Sequence, residues 1–281
     1  MTDLIWLNGE ILPLSEARIS PEDRGYQFAD GVYEVIRLYA GKPFTLDEHL
    51  ARLERSAAGI QISVPLARPT LRSEIAKLIA QSGVGEGMIY LQLTRGVAPR
   101  NHVFPKNPGT TLLFYARALD PLPGVENNPP VKILTVEDER WKRCWIKSIA
   151  LLPNVLAKNQ AVAAGADEAV FVENGVVTEC SASNFYAVIG GKLVTHPIGP
   201  KVLPGITRAV LFDAAKQIGV AVDERPIRLD EAKAADEIFI TSTTREISPV
   251  GTWDNQPVGR GSTVTTKLHR ALRDRVTQET R

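Results

Sequence analysis

The sequence predicts a two-domain α+β protein with mixed sheets, and three observations support this fold class. The chain has 281 residues, which is long enough for two modest domains. Strand and helix signals occur on both sides of residues 120–130. That segment, DPLPGVENNPP, contains four prolines and no apolar periodicity, as interdomain linkers do. We therefore predict a small α/β N-terminal domain over 1–119 and a larger C-terminal domain over 131–281.

The N-terminal domain shows strand and helix signals in turn. Asn8-Gly9 lies between two apolar runs and predicts a β-hairpin. Residues 31–40, GVYEVIRLYA, are rich in β-branched and aromatic residues and predict a strand, with a short second strand over 43–46. Asp47 is the predicted N-cap of a helix that Gly59 ends. The other predicted elements are a helix over 69–82 and strands over 88–95 and 110–119.

The C-terminal domain carries more strand signals than helix signals. A run of strands extends from Glu168 to His196, with turns at Asn174-Gly175 and Gly190-Gly191. The other predicted elements are strands over 131–136 and 236–242 and helices over 155–164, 206–218 and 262–277.

Composition excludes several classes of function. The formal net charge of +1 gives no field that would attract nucleic acid or an anionic membrane. Apolar runs are too short to span a bilayer, and the N-terminus lacks the pattern of a signal peptide. Cys144 and Cys180 have no metal-type spacing, and the four histidines are scattered, so no metal site is expected. These features predict a cytoplasmic protein.

Two hydroxyl-rich segments are candidates for an anion site. Pro204-Gly205 and Thr207 precede or begin the predicted helix 206–218, where free backbone N–H groups and the helix dipole favour a phosphate. Ser242, Thr243 and Thr244 follow an apolar strand and add further donors. An ordinary helix start and a polar turn are the alternatives. Two such segments in one domain favour the anion site.

Glu179 is the most informative acidic residue, because it lies in the neutral stretch VVTECSASNFYAV between apolar strand signals. In an extended chain Glu179, Ser181 and Ser183 point to one face. A buried acid is costly unless a cation partners it. The partner is either an arginine in a structural salt bridge or the protonated ring nitrogen of a bound cofactor.

Two lysines in RWKRCWIKSIALL compete as the nucleophile. Lys142 lies between Arg140 and Arg143 and is predicted to be solvated. Lys147 follows Trp145 and Ile146, so desolvation could lower its pKa and favour the neutral amine that Schiff-base chemistry needs. A structural lysine at the edge of the core is the alternative.

Several residues of the N-terminal domain are candidates for binding a carboxylate. Tyr33, Val35 and Arg37 alternate along one strand face. Arg100 and His102 lie two residues apart in the loop TRGVAPRNHVFP, where a guanidinium and an imidazole can hold a carboxylate together. A solvated basic loop is the alternative. A surface position is the simplest interpretation of Arg52.

In order and spacing, these segments resemble the fold-type IV enzymes that depend on pyridoxal 5′-phosphate (PLP), and most closely the bacterial D-amino acid aminotransferases. The matching pieces are EDRGYQFADGVYEV (22–35), EHLARL, TRGVAPRNHVFP, RWKRCWIKS, TECSASN, LPGITR and TSTTREISPV. They cover nearly the whole chain, and the RGxxPRxHxFP-type loop discriminates within the fold. The resemblance implies a two-domain fold with mixed sheets and a barrel-like C-terminal domain.

The resemblance also implies a role for each matching residue. Lys147 is the Schiff-base lysine and moves a proton between the substrate Cα and the cofactor C4′, while Glu179 binds the pyridine nitrogen. The further cofactor-binding residues that it implies are Arg52, Ile206, Thr207 and Thr243 at the phosphate, Ser183, Ser242, and Leu203 under the ring. The implied substrate-binding residues are Tyr33, Val35, Arg100, His102 and Thr244. Arg100 and His102 complete a site with the partner subunit, which implies a homodimer.

The activity that the resemblance implies is ping-pong transamination between a D-amino acid such as D-alanine and a 2-oxo acid such as 2-oxoglutarate. The alternatives on the same fold are a branched-chain L-amino acid aminotransferase, which Arg37 favours, and an (R)-amine transaminase. An aminodeoxychorismate lyase and a PLP-binding protein without turnover are further alternatives. Ala182 and Trp145 depart from the pattern of the family, but neither replaces a residue that the chemistry requires.

Overall fold

A computed structural model describes residues 3–106 and 109–280 of the chain. These residues form two compact units. Unit 1 contains the described residues up to Pro121 with Ile146–Ala150 and Thr280, and unit 2 contains Leu122–Trp145 and Leu151–Glu279. Lys147 therefore belongs to unit 1 and Glu179 to unit 2.

Unit 1 is built on one antiparallel sheet with two long helices. Its strands are β1 (Leu4–Leu7), β2 (Glu10–Pro13), β3 (Gly31–Tyr39), β4 (Lys42–Pro43), β5 (Gly87–Thr94) and β6 (Thr111–Ala118). Its helices are α1 (Arg24–Phe28), α2 (Leu46–Gly59) and α3 (Arg68–Ser82). The strand order across the sheet is β2-β1-β6-β5-β3-β4, and each pairing is antiparallel.

Two turn signals in unit 1 are confirmed. Asn8 and Gly9 form the turn between β1 and β2, with φ of 50° and 110°. Glycine tolerates this left-handed region without the steric cost of a Cβ, and asparagine tolerates it better than most residues. Helix α3 ends at Gly83, whose φ of 66° closes the helix as predicted.

The predicted short second strand is present, but it lies at Lys42–Pro43 instead of 43–46, and the predicted N-cap at Asp47 is wrong. Strand β4 ends at Pro43, and α2 begins at Leu46 with Thr45 as its N-cap. Asp47 instead lies in the first turn, where it forms an ion pair with Arg72. The helix dipole favours an acid throughout the first turn, so an acidic residue locates a helix start only to within a few positions.

The core of unit 1 lies between the sheet and α2 and α3. Helix α2 packs against β3 through a stripe that includes Leu50, Leu53 and Ala57. Helix α3 packs against β1 and β6, and its buried residues include Leu71 and Ile75. In α2 this shared apolar face of Leu50, Leu53 and Ala57 is what indicates a helix from the sequence.

Unit 2 contains the larger sheet. Its strands are β7 (Val131–Glu137), β8 (Glu168–Glu173), β9 (Val176–Cys180), β10 (Asn184–Ile189), β11 (Lys192–Thr195), β12 (Val222–Glu224), β13 (Ile227–Arg228), β14 (Glu237–Ser242), β15 (Glu246–Trp253) and β16 (Gln256–Pro257). Its helices are α4 (Leu152–Ala163), α5 (Ile206–Gln217), α6 (Leu229–Lys233) and α7 (Thr263–Thr280). The strand order is β12-β11-β10-β14-β15-β7-β8-β9-β13, and β16 pairs with β15.

The sheet of unit 2 is mixed and curls back on itself. Strand β7 runs parallel to β8 and β15, whereas β14 is antiparallel to β10 and β15. Strands β9 and β10 stand far apart in the strand order, yet the amide of Cys180 donates to the carbonyl of Ser183. Because the chain passes directly from one to the other, the sheet forms a curled, half-barrel surface. The predicted α+β fold with mixed sheets and a barrel-like C-terminal part is confirmed.

Strand β15 lies in the middle of this sheet, but the sequence signals do not predict it. Pro249 and Gly251 interrupt its apolar pattern, and both residues normally argue against a central strand. The register with β7 shifts between Val250 and Thr252, so the strand contains an irregularity at Gly251. The irregularity lets this unfavourable sequence stay in the sheet.

Helix α4 has one apolar face that is buried and another that is exposed. Ala157 and Ala161 pack on β8 and on its Phe171, whereas Leu152 and Leu156 are exposed, at 69% and 61%. The helix begins three residues before the predicted start at residue 155, because Pro153 fits the first turn of a helix. Among the described residues, no helix is long and apolar enough to cross a membrane.

Candidate functional site

Lys147 is held in unit 1 by backbone pairing with strand β3. The amide of Tyr33 donates to the carbonyl of Lys147 at 3.0 Å, and the amide of Ile149 donates to the carbonyl of Gly31 at 3.1 Å. The amide of Lys147 donates to Ser56 Oγ of α2 at 3.1 Å. These contacts fix the backbone of the lysine against both a strand and a helix.

The side chain of Lys147 is half-buried, and its Nζ lies 4.0 Å from the centre of the Tyr33 ring. Val35 follows Tyr33 on the same face of β3 and is also half-buried. Lys142 is exposed, as predicted. Unit 1 thus brings Lys147 together with Tyr33, and the competing lysine stays in solvent.

Arg52 is buried, so its interpretation as a surface residue is wrong. Its Nε and Nη2 donate to the two carboxylate oxygens of Glu34 on β3, at 2.8 and 2.7 Å. His49 Nδ1 lies 2.7 Å from Glu34 Oε2. Burial alone raises the pKa of Glu34, but Arg52 and His49 outweigh burial and lower it to about 2. The carboxylate is therefore ionised and holds Arg52 in one orientation.

Replacing Glu34 with glutamine is expected to lower the free energy of unfolding at pH 7 by about 3 kcal/mol, since the pKa falls from 4.5 to about 2 on folding. A carboxylate whose pKa is lowered on folding stabilises the protein above pH 4.5, and this contribution disappears as the pH falls toward 2. The difference between wild type and Glu34→Gln should therefore shrink below about pH 5. Urea unfolding measured at a series of pH values tests this.

Glu54 provides a matched control, because it forms the same two-contact pair with Arg68 on the surface of unit 1. The side chains of Glu54 and Arg68 are 41% and 39% exposed. Solvent weakens such a pair, so Glu54→Gln should cost less than about 1 kcal/mol. If Glu34→Gln and Glu54→Gln lower the free energy of unfolding equally, burial does not make the Glu34–Arg52 pair more stabilising than the exposed pair.

Arg100 and His102 lie in an exposed loop of unit 1. Arg100 Nη1 lies 3.5 Å from the carbonyl of Gln27, and its guanidinium carbon lies 4.5 Å from the centre of the Phe28 ring. The His102 ring packs on the same Phe28 ring, with centroids 5.4 Å apart. Within residues 3–106 and 109–280, neither Arg100 nor His102 forms an ion pair with a carboxylate. Unit 1 therefore brings the two together on one aromatic ring.

Glu179 is buried in unit 2 and has fixed partners on both oxygens. Its Oε1 accepts a hydrogen bond from Arg140 Nη1. Its Oε2 accepts from Asn184 Nδ2 at 3.1 Å and from the amide of Leu203 at 3.0 Å. A carboxylate offers about four acceptor positions. One position is therefore left for a further donor, such as a protonated ring nitrogen.

Arg140 is itself held by a second acid. Its Nε and Nη2 donate to Asp138 at 2.9 Å each, so Asp138 fixes the guanidinium that reaches Glu179. Burial raises the pKa of Glu179, and Arg140 opposes that shift. A cationic ligand on the remaining acceptor position would act in the same direction as Arg140. The salt-bridge interpretation of Glu179 is confirmed, and the three donors leave one of the about four acceptor positions of the carboxylate.

The hydroxyls of Ser181 and Ser183 contact a different acid, Glu168, and none of the hydrogen-bond partners of Glu179. Strand β9 ends at Cys180, and the chain turns before β10 begins. The hydroxyl of Ser181 donates to Glu168 Oε1, and the hydroxyl of Ser183 lies 3.4 Å from Glu168 Oε2.

Asn184 is a site residue that the sequence analysis missed. Its Nδ2 donates to Glu179 Oε2 and also to the carbonyl of Leu203 at 3.0 Å. A Cβ at Gly205 would lie 2.1 Å from Asn184 Oδ1, so glycine is needed at that position. The signal was available, since Asn184 follows a run of small residues and directly precedes an apolar strand segment.

The start of α5 is suited to an anion. Its N-cap is Gly205, which has no side chain to cap the first N–H groups, including those of Ile206 and Thr207. Those donors and the positive end of the helix dipole favour a phosphate. Ser242 ends strand β14, and Thr243 and Thr244 form the turn that leads to β15. Unit 2 therefore carries a buried carboxylate with a position for a further donor and a helix start without a side-chain cap that is suited to an anion.

No group of three or more histidine, cysteine or acidic side chains suited to a metal ion occurs among residues 3–106 and 109–280.

Comparison with known proteins relates this chain to one family. The family model described as amino-transferase class IV matches residues 31–253. The D-alanine aminotransferase of Listeria monocytogenes serotype 4b (strain F2365) is 43% identical over 278 residues, covering 98% of this chain and 96% of the relative. The D-alanine aminotransferase of Bacillus licheniformis is 40% identical over 278 residues, covering 98% of each chain.

One solved structure has the same fold as this chain. The branched-chain amino acid aminotransferase from Escherichia coli superimposes with a TM-score of 0.90 at 25% identity. The superposition covers 100% of this chain and 96% of that one.

Proposed function

The chain belongs to the class IV aminotransferases, and we propose that it transfers the amino group of D-amino acids such as D-alanine to 2-oxo acids such as 2-oxoglutarate. The observation that carries this proposal is the match to D-alanine aminotransferases, at 43% and 40% identity over nearly the whole chain. The branched-chain aminotransferase with the same fold is only 25% identical. Amino and 2-oxo acids are the substrates of aminotransferases in general.

The cofactor of this family is PLP, which when bound withdraws electrons from the bonds at the substrate α-carbon and carries the amino group. Glu179 offers its remaining acceptor position to the protonated ring nitrogen. Because Arg140, Asn184 and the amide of Leu203 already fix the carboxylate, it does not need to reorganise to bind this ligand. The other residues that we assign to the cofactor are Arg52, Ser183, Leu203, Ile206, Thr207, Ser242 and Thr243.

Lys147 is assigned two tasks. Its Nζ would anchor the cofactor covalently in the resting enzyme and, once the substrate amine has replaced it there, the freed amine would take the proton from the substrate α-carbon. A base must lie within reach of its proton and keep its orientation. The support for this role is the backbone of Lys147, which is bonded to Tyr33 and Ser56, and the packing of Nζ over the Tyr33 ring.

The α-carboxylate of the substrate is assigned to Arg100, His102 and Tyr33, with Val35 and Thr244 as further substrate contacts. The absence of an ion pair at Arg100 and His102 among the described residues supports this assignment. Among those residues, no carboxylate neutralises the charge of Arg100, so it can be used for an anionic substrate.

We further propose a homodimer in which Arg100 and His102 serve the partner's site. The exposed apolar stripe of α4, made of Leu152, Val155, Leu156 and Val162, supports a protein interface there, because monomeric proteins rarely leave such a stripe in water. A cytoplasmic location is also part of the proposal, and the two cysteine thiols fit a reducing compartment.

The argument for a branched-chain L-amino acid aminotransferase rested on Arg37. The contacts of the Arg37 side chain weaken this argument. Arg37 is buried, and its Nη2 donates to the carbonyl of Asp120 at 3.1 Å and lies 3.5 Å from Glu86. These partners hold the guanidinium in a structural role. Arg37 therefore gives no reason to prefer a branched-chain L-amino acid as the substrate.

A half-reaction panel tests the proposed function. We expect D-alanine to bleach the visible absorption band of the lysine-bound cofactor and to release pyruvate in a 1:1 ratio to enzyme. L-Leucine and (R)-1-phenylethylamine should leave the band unchanged on the same timescale. Readdition of 2-oxoglutarate should restore it. Bleaching by L-leucine but not by D-alanine would show a real aminotransferase of the other stereochemistry, and a colourless protein after incubation with PLP would end the aminotransferase proposal.

A further inference from the structure

The ring of Phe28, the last residue of α1, is shared by three basic side chains. The guanidinium carbons of Arg24 and Arg100 lie 4.8 and 4.5 Å from its centre, and the His102 ring packs on it at 5.4 Å. An aromatic face attracts cations through its quadrupole. Phe28 therefore contacts both members of the Arg100–His102 pair.

The partners of Arg24 and Arg100 differ in charge. Arg24 is buried and donates from Nε to Asp30 at 2.9 Å, and its Nη1 donates to the carbonyl of Asn101. Arg100 contacts the Phe28 ring instead of a carboxylate of the described residues. An ion pair would orient Arg100 and also cancel its charge, whereas an aromatic ring orients the guanidinium and leaves its charge available.

Helix α1 is rigidly mounted, so Phe28 is a fixed surface. Asp23 caps the helix by accepting from the amide of Gly25 at 2.8 Å. The same carboxylate accepts from the hydroxyls of Thr94 and Thr111 at 3.0 and 2.6 Å, which ties α1 to β5 and β6. A Cβ at Gly25 would lie 2.3 Å from Thr94 Cγ2, so the helix lies directly against the sheet.

We propose that Phe28 is a positioning residue for the substrate carboxylate, because its ring holds Arg100 and His102 side by side without neutralising them. Arg24 contributes by fixing the backbone carbonyl of Asn101, the residue between them. The inference rests on the proposed function, in which Arg100 and His102 bind the α-carboxylate.

The expected effect is selective for carboxylate binding. The cation–π contact of Arg100 and the aromatic contact of His102 each contribute a factor of about two to five to an equilibrium constant, so losing both ring contacts should cost about tenfold. Phe28→Leu keeps an apolar side chain of similar size but removes the ring. We expect it to raise the KM for D-alanine and the inhibition constant of propanoate about tenfold, with kcat and the dissociation constant of PLP within about twofold of wild type.

Two variants control the experiment. Phe28→Tyr keeps the ring and should restore wild-type values for both constants. Tyr26→Leu removes an aromatic ring two residues away whose side chain is 82% exposed, and it should leave every constant unchanged. Size-exclusion chromatography of each holoenzyme checks that Phe28→Leu keeps the oligomeric state of wild type.

The outcomes separate this inference from the proposed function. Arg100→Met is measured in parallel. If it raises the KM for D-alanine while Phe28→Leu has no effect on KM or on propanoate inhibition, the positioning inference is wrong and the proposed function stands. If Arg100→Met itself leaves both constants unchanged, the assigned carboxylate site is wrong, and the role of Phe28 falls with it.

Discussion

Replacing Lys147 with alanine is expected to lower kcat by at least roughly 10⁴-fold, the upper range for loss of a single acid–base group. Under the proposed assignment, the variant loses both the covalent anchor for the cofactor and the base that takes the substrate α-proton. The fold should survive, because the contacts that hold this segment are made by the backbone, to Tyr33, Gly31 and Ser56. Single-turnover kinetics with D-alanine measure the loss of activity, and circular dichroism measures separately whether the fold is retained.

Lys142→Ala is the matched control, since Lys142 is five positions earlier in the sequence and exposed. It should retain wild-type turnover. Borohydride reduction followed by peptide mass spectrometry should locate the cofactor on Lys147 in wild type and in Lys142→Ala. Labelling of Lys142, or more than a few per cent of wild-type kcat in Lys147→Ala, would show that Lys147 was assigned wrongly.

Replacing Glu179 with glutamine is expected to lower kcat by roughly 10² to 10³, the order of the loss when one preorganised group that stabilises charge in the reaction is removed. The amide keeps the shape of the side chain but removes the negative charge that, in the proposed assignment, holds a proton on the ring nitrogen. Arg140 stays paired with Asp138, so the variant should fold. Its absorption spectrum should depend on pH differently from that of wild type, because the ring nitrogen loses its proton more readily.

Glu137→Gln controls for the loss of one negative charge nearby in the sequence. Glu137 is exposed at the end of β7, next to Asp138, and its replacement should change neither kcat nor the spectrum. A Glu179→Gln enzyme with wild-type kcat and spectrum would mean that the carboxylate has only its structural role toward Arg140 and Leu203.

Local signals were sufficient for most elements of the fold. The hairpin turn at Asn8-Gly9, the end of α3 at Gly83 and the amphipathic helices α2 and α5 each depend on residues close together in the chain. Strand β15 is the counterexample, because its place depends on pairing with β14 and with β7, which is far away in sequence. Local propensity cannot reveal a strand that tertiary pairing stabilises against its own proline.

The candidate site likewise has features that the sequence reveals and features that depend on tertiary contacts. The sequence makes Lys147, Glu179, Arg100 and His102 candidates, and the resemblance of the whole ordered set of motifs to one family implies their roles, which no single segment does by itself. The sequence does not reveal what holds them. The partners of Glu179 include Arg140, 39 residues earlier, and the amide of Leu203, 24 residues later.

By itself, the sequence determined the fold class, the family and the lysine that we assign to the cofactor, because each depends on residue identity and spacing. Only the tertiary structure decided how the charges are paired. It buried Arg52 against Glu34, paired Glu179 with Arg140, and left Arg100 on an aromatic ring without a carboxylate among the described residues. The physical reason is that a pairing depends on distance in space and on burial, and the folded chain sets both.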